Sequence, residues 1–149
     1  MLEPATETSA PSDQDARAYL SGAFAPVIDE IDVGDLPVRG TLPSELSGTY
    51  VRNGPNPALA PTGTYTYPFD GDGMVHAVTF DRGHVRSRNR WVVTQALAAE
   101  RRAGRALYGG VLAPFGPDIN ANGELLSRSP FKNCSNASVV AHAGRLLSL

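Results

Sequence analysis

Apolar residues in this chain come in brief runs, and several of them alternate with polar ones at a spacing of two. Residues 75–80, Val-His-Ala-Val-Thr-Phe, predict a β-strand, and residues 84–93, His-Val-Arg-Ser-Arg-Asn-Arg-Trp-Val-Val, predict its antiparallel return. In the return strand Arg86, Arg88 and Arg90 share one face, and Val85, Trp91 and Val93 share the other. Asp81-Arg82-Gly83 reads as the hairpin loop between them, with glycine free to take positive φ. Residues 48–52 predict an earlier strand, which Asn53-Gly54-Pro55-Asn56-Pro57 is expected to end, since proline cannot donate to a ladder. Ser44-Glu45-Leu46 reads as a short turn. The period changes only once, in Thr-Gln-Ala-Leu-Ala-Ala-Glu-Arg-Arg-Ala-Gly from Thr94 to Gly104, where Ala and Leu favour a helix. Thr94 can cap its start, and Gly104 or Gly109 its end. The last residues, 138–149, predict a second hairpin turning at His142-Ala143-Gly144-Arg145, with the sequence stopping inside the returning strand. The pattern is that of an all-β meander with one short helix.

Composition sharpens this picture. The chain has 149 residues, 15 of them glycine and 12 proline, about 18% where average usage is roughly 12%. Such punctuation suits many short elements. Residues 1–16 carry few large apolar side chains and predict a mobile arm, leaving 17–149 as one folded unit. Within that unit, the aromatic and aliphatic residues of 19–31 predict an extended segment lying on a core. With 13 basic and 15 acidic residues the formal net charge is -2, so no long-range attraction to nucleic acid is expected. The arginine stripe reads as the wet face of a half-buried strand. The single cysteine, Cys134, excludes an internal disulfide. The start lacks a basic stretch followed by an apolar one, and no apolar run approaches the roughly 20 residues of a bilayer span. A cytoplasmic protein is expected. Asn133-Cys134-Ser135 and Asn136-Ala137-Ser138 fit the glycosylation sequon and read as chance matches without export.

The most ligand-like residues are Asp70, Asp72 and His76 in Phe-Asp-Gly-Asp-Gly-Met-Val-His, residues 69–76. A calcium loop needs oxygen ligands at alternating positions over a dozen residues, and Met74, Ala77 and Val78 break that pattern. A transition-metal site needs three or more converging side chains. The favoured alternative is a turn, with Gly71 and Gly73 permitting unusual backbone angles and the aspartates bonding nearby amides. His76 then points with Met74, Val78 and Phe80 into apolar surroundings. No phosphate-binding glycine loop, no Cys-x-x-Cys and no Gly-x-Ser-x-Gly is present. Cys134 and Ser135 have no base placed beside them by sequence, and His84 falls in an exposed turn. Read residue by residue, the chain is a soluble β-rich domain with no named reaction.

A resemblance goes further. Leu-Pro-Val-Arg-Gly-Thr-Leu-Pro-Ser-Glu-Leu-Ser-Gly-Thr-Tyr-Val-Arg-Asn-Gly-Pro-Asn-Pro at 36–57, Phe-Asp-Gly-Asp-Gly-Met-Val-His at 69–76 and Lys-Asn-Cys-Ser-Asn-Ala-Ser at 132–138 stand in the order seen at the start of carotenoid cleavage oxygenases. That family includes lignostilbene dioxygenases and the animal retinoid isomerase, and the resemblance spans about residues 19–149. It implies the N-terminal blades of a seven-bladed β-propeller, incomplete here, with one short helix. It also implies a non-haem Fe(II) on the propeller axis, held by four histidines backed by glutamates. The implied reaction uses O2 to split an alkene of an apolar carotenoid, apocarotenoid or stilbene into two carbonyl fragments. Carried over residue by residue, neither His76 nor His142 matches an iron ligand, so the ligands are expected beyond Leu149 and none of the catalytic, cofactor or metal residues is expected in this chain. Phe69 matches an aromatic bordering the substrate tunnel. This length corresponds to roughly the first third of a family member, about two blades, and predicts an inactive, aggregation-prone polypeptide if it stands alone. Peripheral membrane contact is implied for the full-length protein. Two other readings compete: a truncated, non-enzymatic relative that binds an apolar ligand or a protein partner, and nucleic-acid binding through Arg86, Arg88, Arg90, Arg101 and Arg102, which predicts steep salt dependence.

Overall fold

The computed structural model describes residues 18–59, 68–108 and 132–149. The arm expected over residues 1–16 and Gly109, the alternative helix end, lie outside them. Most elements are strands: β1 (Asp32–Val33), β2 (Gly48–Pro55), β3 (Gly73–Asp81), β4 (His84–Trp91), β5 (Val139–His142) and β6 (Arg145–Ser148). The helix α1 spans Gln95–Ala103. The first four strands form one antiparallel sheet in the order β1-β4-β3-β2, and β5 and β6 form a separate hairpin.

Both hairpins turn on two residues with positive φ. Asp81 pairs with His84, so the loop is Arg82-Gly83 (φ 47° and 86°), one residue shorter than the sequence suggested. His142 pairs with Arg145 across Ala143-Gly144 (φ 48° and 73°). Two consecutive left-handed residues give the turn whose twist matches that of the strands.

The remaining differences from expectation have local causes. Strand β2 runs on through Asn53 and Gly54 to Pro55 rather than ending before Asn53, with Pro55 opposite Gly73. It is an edge strand, where alternate N–H groups point away from the sheet and a proline costs no ladder bond. Strand β4 stops at Trp91 rather than Val93: Val92 N–H still makes the next ladder bond to Gly73 O (2.8 Å), but Gly73 N–H goes to Cys134 O (2.9 Å) instead of returning to Val92, and Thr94 N–H turns onto Val92 O (2.9 Å). The 19–31 segment is two 3₁₀ turns, Ala18–Leu20 and Gly22–Phe24, followed by irregular chain leading into β1. Strand β1 itself, two residues long, leaves no period to read.

Register fixes the faces. Met74 and Trp91 lie on one face with the row Arg52, His76 and Asn89, then Tyr50, Val78 and Ser87. The other face carries Asn53, Val75 and Arg90, then Val51, Ala77 and Arg88, then Thr49, Thr79 and Arg86. The arginine stripe is therefore real, and it is occupied by the β1 edge. Arg86 grips Asp32 with Nε and Nη2 at 2.7 and 2.8 Å, while Arg88 and Arg90 lie 3.8 and 3.9 Å from the same carboxylate. The Arg86 hydrogen bond, against a smaller desolvation effect and with the arginine charges adding, holds the Asp32 carboxyl below its ordinary range.

Two asparagines anchor the segment before β1. Asn56 exchanges two bonds with Val27, its Oδ1 accepting from N–H and its Nδ2 donating to O, both at 2.7 Å. Asn89 accepts from Ile31 N–H and donates to Asp29 O (2.9 Å). Both amides also point at the sulfur of fully buried Met74 (3.5 and 3.2 Å). Chain that forms no ladder thus has its backbone groups met by side chains. Helix α1 begins with Thr94 Oγ1 accepting from Leu97 N–H (3.2 Å) and ends at Gly104 with φ 67°, as the sequence predicts. It buries Ala96, Leu97 and Glu100. No described helix is long and apolar enough to cross a membrane.

Candidate functional site

The loop Phe69–Gly73 and the segment Lys132–Ser138, the two motifs richest in polar residues, meet at the start of β3. Gly73 N–H donates to Cys134 O at 2.9 Å, and Asn136 Nδ2 donates to Phe69 O and Gly71 O, each at 2.7 Å. The approach is so close that a Cβ on Gly73 would stand 2.3 Å from Ser135 O and 2.9 Å from Cys134 O. Gly73 is there for backbone contact.

Beneath the loop is a buried ion triad. Asp72 and Glu100 are 1% and 0% exposed, and Lys132 lies between them. Its Nζ donates to Glu100 Oε2 at 3.0 Å and stands 3.0 Å from Asp72 Oδ1, an ion contact off the hydrogen-bond axis. The other carboxylate oxygens are met by backbone: Ala58 N–H donates to Asp72 Oδ2 (3.1 Å) and Leu107 N–H to Glu100 Oε1 (3.0 Å). Burial alone would pull the ammonium down, but the charges of Asp72 and Glu100 outweigh it and hold Lys132 above the ordinary lysine value. The triad fastens the loop, helix α1 and the 132–138 segment to one another.

Cys134 faces inward, its Sγ near Asp70 O at 3.4 Å. Burial pushes the thiol up to about 11, with Lys132 pulling the other way and Asp72, Asp70 and Glu100 adding to the rise. Such a thiol is a poor nucleophile at neutral pH. Ser135 is committed to the terminal hairpin, donating to Ser148 O at 2.8 Å. Asn136, the acceptor of the second sequon, is buried and bonded, so that match carries no sugar in the folded chain.

The structure separates Asp72 from His76. The aspartate belongs to the ion triad, whereas His76 is half-buried in mid-β3 between Arg52 and Asn89. Burial first, then the Arg52 charge, pulls its imidazole below the ordinary value. His84 lies at the start of β4 with Nδ1 3.0 Å from exposed Asp35, and His142 ends β5. Among the described residues no group of three or more His, Cys, Asp or Glu side chains could hold a metal ion. Phe69 lies in the 3₁₀ turn Pro68–Asp70, half exposed.

Glu100 and Lys132 escape sequence reasoning. A signal existed for the first, since Ala96, Leu97 and Glu100 sit three and four apart on the buried face of α1. For Lys132 there was none.

Residues 24–149 match the family profile described as retinal pigment epithelial membrane protein. A carotenoid cleavage oxygenase of Mycobacterium tuberculosis is 38% identical over 150 residues, covering 95% of this chain and 26% of that protein. The chain belongs to the carotenoid cleavage oxygenase family. An isoeugenol monooxygenase of Pseudomonas nitroreducens is 37% identical over 130 residues, covering 87% of this chain and 26% of that protein. The crystal structure of Pseudomonas brassicacearum lignostilbene dioxygenase superposes with a TM-score of 0.72 at 34% identity, covering 95% of this chain and 28% of that one. A mutant of the Synechocystis apocarotenoid oxygenase gives 0.70 at 32% identity, covering 93% and 28%. The chain spans about a quarter of the length of the curated relatives it matches.

Proposed function

We propose that residues 17–149 form the N-terminal two blades of a seven-bladed propeller, belonging to a dioxygenase that splits an alkene of a carotenoid, apocarotenoid or stilbene with O2. The observation that carries this reading is the family match over residues 24–149, with relatives named for carotenoid, isoeugenol and lignostilbene oxygenation. The strand arrangement supports it. The order β2-β3-β4-β1 is a four-stranded antiparallel unit of blade size, and β5 lies against β2 as the opening of a second unit.

Ferrous iron would supply the oxygen chemistry. The residues of this chain do not fit a site for it: its three histidines lie in mid-β3, at the start of β4 and at the end of β5. The metal and its histidines are assigned to polypeptide outside these 149 residues. The part given to this chain is architectural. The ion triad and the asparagine bonds hold the Phe69–Gly73 turn, and Phe69, half exposed from that turn, is assigned to the wall of an apolar tunnel. Such a wall suits substrates that lack polar handles.

The test is activity of a protein in which this chain is continued by its own downstream coding sequence. Iron-dependent cleavage of a stilbene or an apocarotenal is expected, with Phe69→Ala raising KM more than it lowers kcat. A soluble, iron-loaded protein inert toward both substrate classes would end the proposal.

A further inference from the structure

Asn53-Gly54, in the Arg-Asn-Gly-Pro-Asn-Pro stretch, joins two facts that together suggest a chemical modification site. An asparagine followed by glycine is the pair most open to deamidation, because no side chain shields the following amide nitrogen. That side chain is also what ties β2 to the terminal hairpin. Asn53 Nδ2 donates to Ser135 O (3.0 Å), Ser138 O (3.2 Å) and Ser148 Oγ (2.9 Å), reaching both the approach to β5 and the end of β6. Its Oδ1 accepts from Gly54 N–H at 3.0 Å, so the carboxamide already lies over the nitrogen that would attack it.

We propose that Asn53 is a deamidation site gated by docking of the β5–β6 hairpin, and that its conversion to aspartate releases that hairpin. In the first step the Gly54 backbone nitrogen loses its proton and bonds to Asn53 Cγ, while the Cγ–Nδ2 bond breaks and ammonia leaves. The product is a cyclic succinimide. Water then adds to either imide carbonyl and opens the ring to aspartate or isoaspartate, with no oxidation or reduction. While the hairpin is docked, three acceptors hold Nδ2 and keep Cγ from rotating into line. The two hydrogens of Nδ2 are shared among the three acceptors, and two hydrogen bonds of ordinary strength multiply to roughly a thirtyfold suppression. The product cannot restore them, because a carboxylate only accepts and would face the carbonyls of Ser135 and Ser138. Isoaspartate adds a backbone atom to β2 as well.

The protein in which this chain is continued by its own downstream coding sequence is aged near neutral pH, folded and in denaturant, and the exchange of amide for acid is followed by peptide mass mapping. The map must separate Asn53 from Asn122-Gly123, the other Asn-Gly pair of these 149 residues. Conversion at Asn53 is expected to be roughly thirty times slower in the folded chain. Gly54→Ala should slow it in denaturant while leaving the fold intact, since the new Cβ meets only the Arg52 side chain, at 3.5 Å. Asn53→Asp, the product in advance, should speed hydrogen exchange at Ala137, Ser138 and Leu149 N–H by about tenfold or more, with β3–β4 amides unchanged. Equal conversion rates in the folded and denatured chain would overturn the gating. Unchanged exchange at those three amides in Asn53→Asp would overturn the release.

Discussion

Replacing Lys132 by methionine removes the cation that lies between two carboxylates 1% and 0% exposed, while keeping most of the length of the side chain. Asp72 and Glu100 would keep their backbone donors, Ala58 and Leu107 N–H, but lose their only charge partner in the triad. Breaking a buried pair from one side costs about 3–5 kcal/mol, because the stranded charge stays desolvated. That is a large part of the roughly 5–15 kcal/mol that a domain has in hand. Urea denaturation followed by tryptophan fluorescence reads it directly, since the single Trp91 stacks under Arg101 of α1 (5.6 Å). With a slope of about 2 kcal/mol per molar urea, the midpoint should fall by roughly 2 M. The companion Asp72→Asn/Lys132→Met/Glu100→Gln keeps acceptors for both backbone amides and holds no charge, and should recover most of the loss. A loss in Lys132→Met below about 1 kcal/mol would mean that water reaches both carboxylates, and the fastening role of the triad would be wrong.

Other expectations follow from single contacts. Gly73→Ala should cost about 1–3 kcal/mol or more, because the new methyl meets backbone oxygens of Ser135 and Cys134 that cannot swing aside; thermal unfolding checks it. Thr94→Ala should cost about 1 kcal/mol through loss of the cap on α1. Lys132 is raised in the folded state, so its stabilisation is complete below the unfolded lysine value and fades as pH climbs through the folded one. The wild type should therefore lose more stability than Lys132→Met in strongly alkaline urea titrations, and parallel curves would contradict this. Cys134, pushed up to about 11, should react with iodoacetamide far more slowly in the folded chain than in denaturant.

Strands with an alternating pattern and turns with glycine could be read from sequence, because period and turn chemistry are local. Val75–Phe80, the arginine face of β4, the Thr94 cap and the closing hairpin are of this kind. Asn53 and Pro55 were misread as a stop, since the edge position that tolerates proline depends on which strand lies beside it. Strand β1 was missed because two residues carry no period; Asp32 is held by Arg86, some fifty residues later in the chain. At the site, Asp72 reads from sequence as a turn aspartate bonding a nearby amide, but its ion partners Glu100 and Lys132 come from elements that only the fold brings together. The family, by contrast, was legible, since three long motifs in fixed order are specific in a way that no single residue type is.

The proposed division places oxygen chemistry on histidines outside this chain and scaffolding in the chain itself. Metal analysis after anaerobic loading with Fe(II) tests that division most directly, comparing the 149-residue polypeptide with its extension through the downstream coding sequence. That division predicts background iron in the first and about one iron per chain in the second, by analogy with a closed histidine site. Stoichiometric iron on the 149 residues alone, accompanied by cleavage of a stilbene or an apocarotenal, would contradict it.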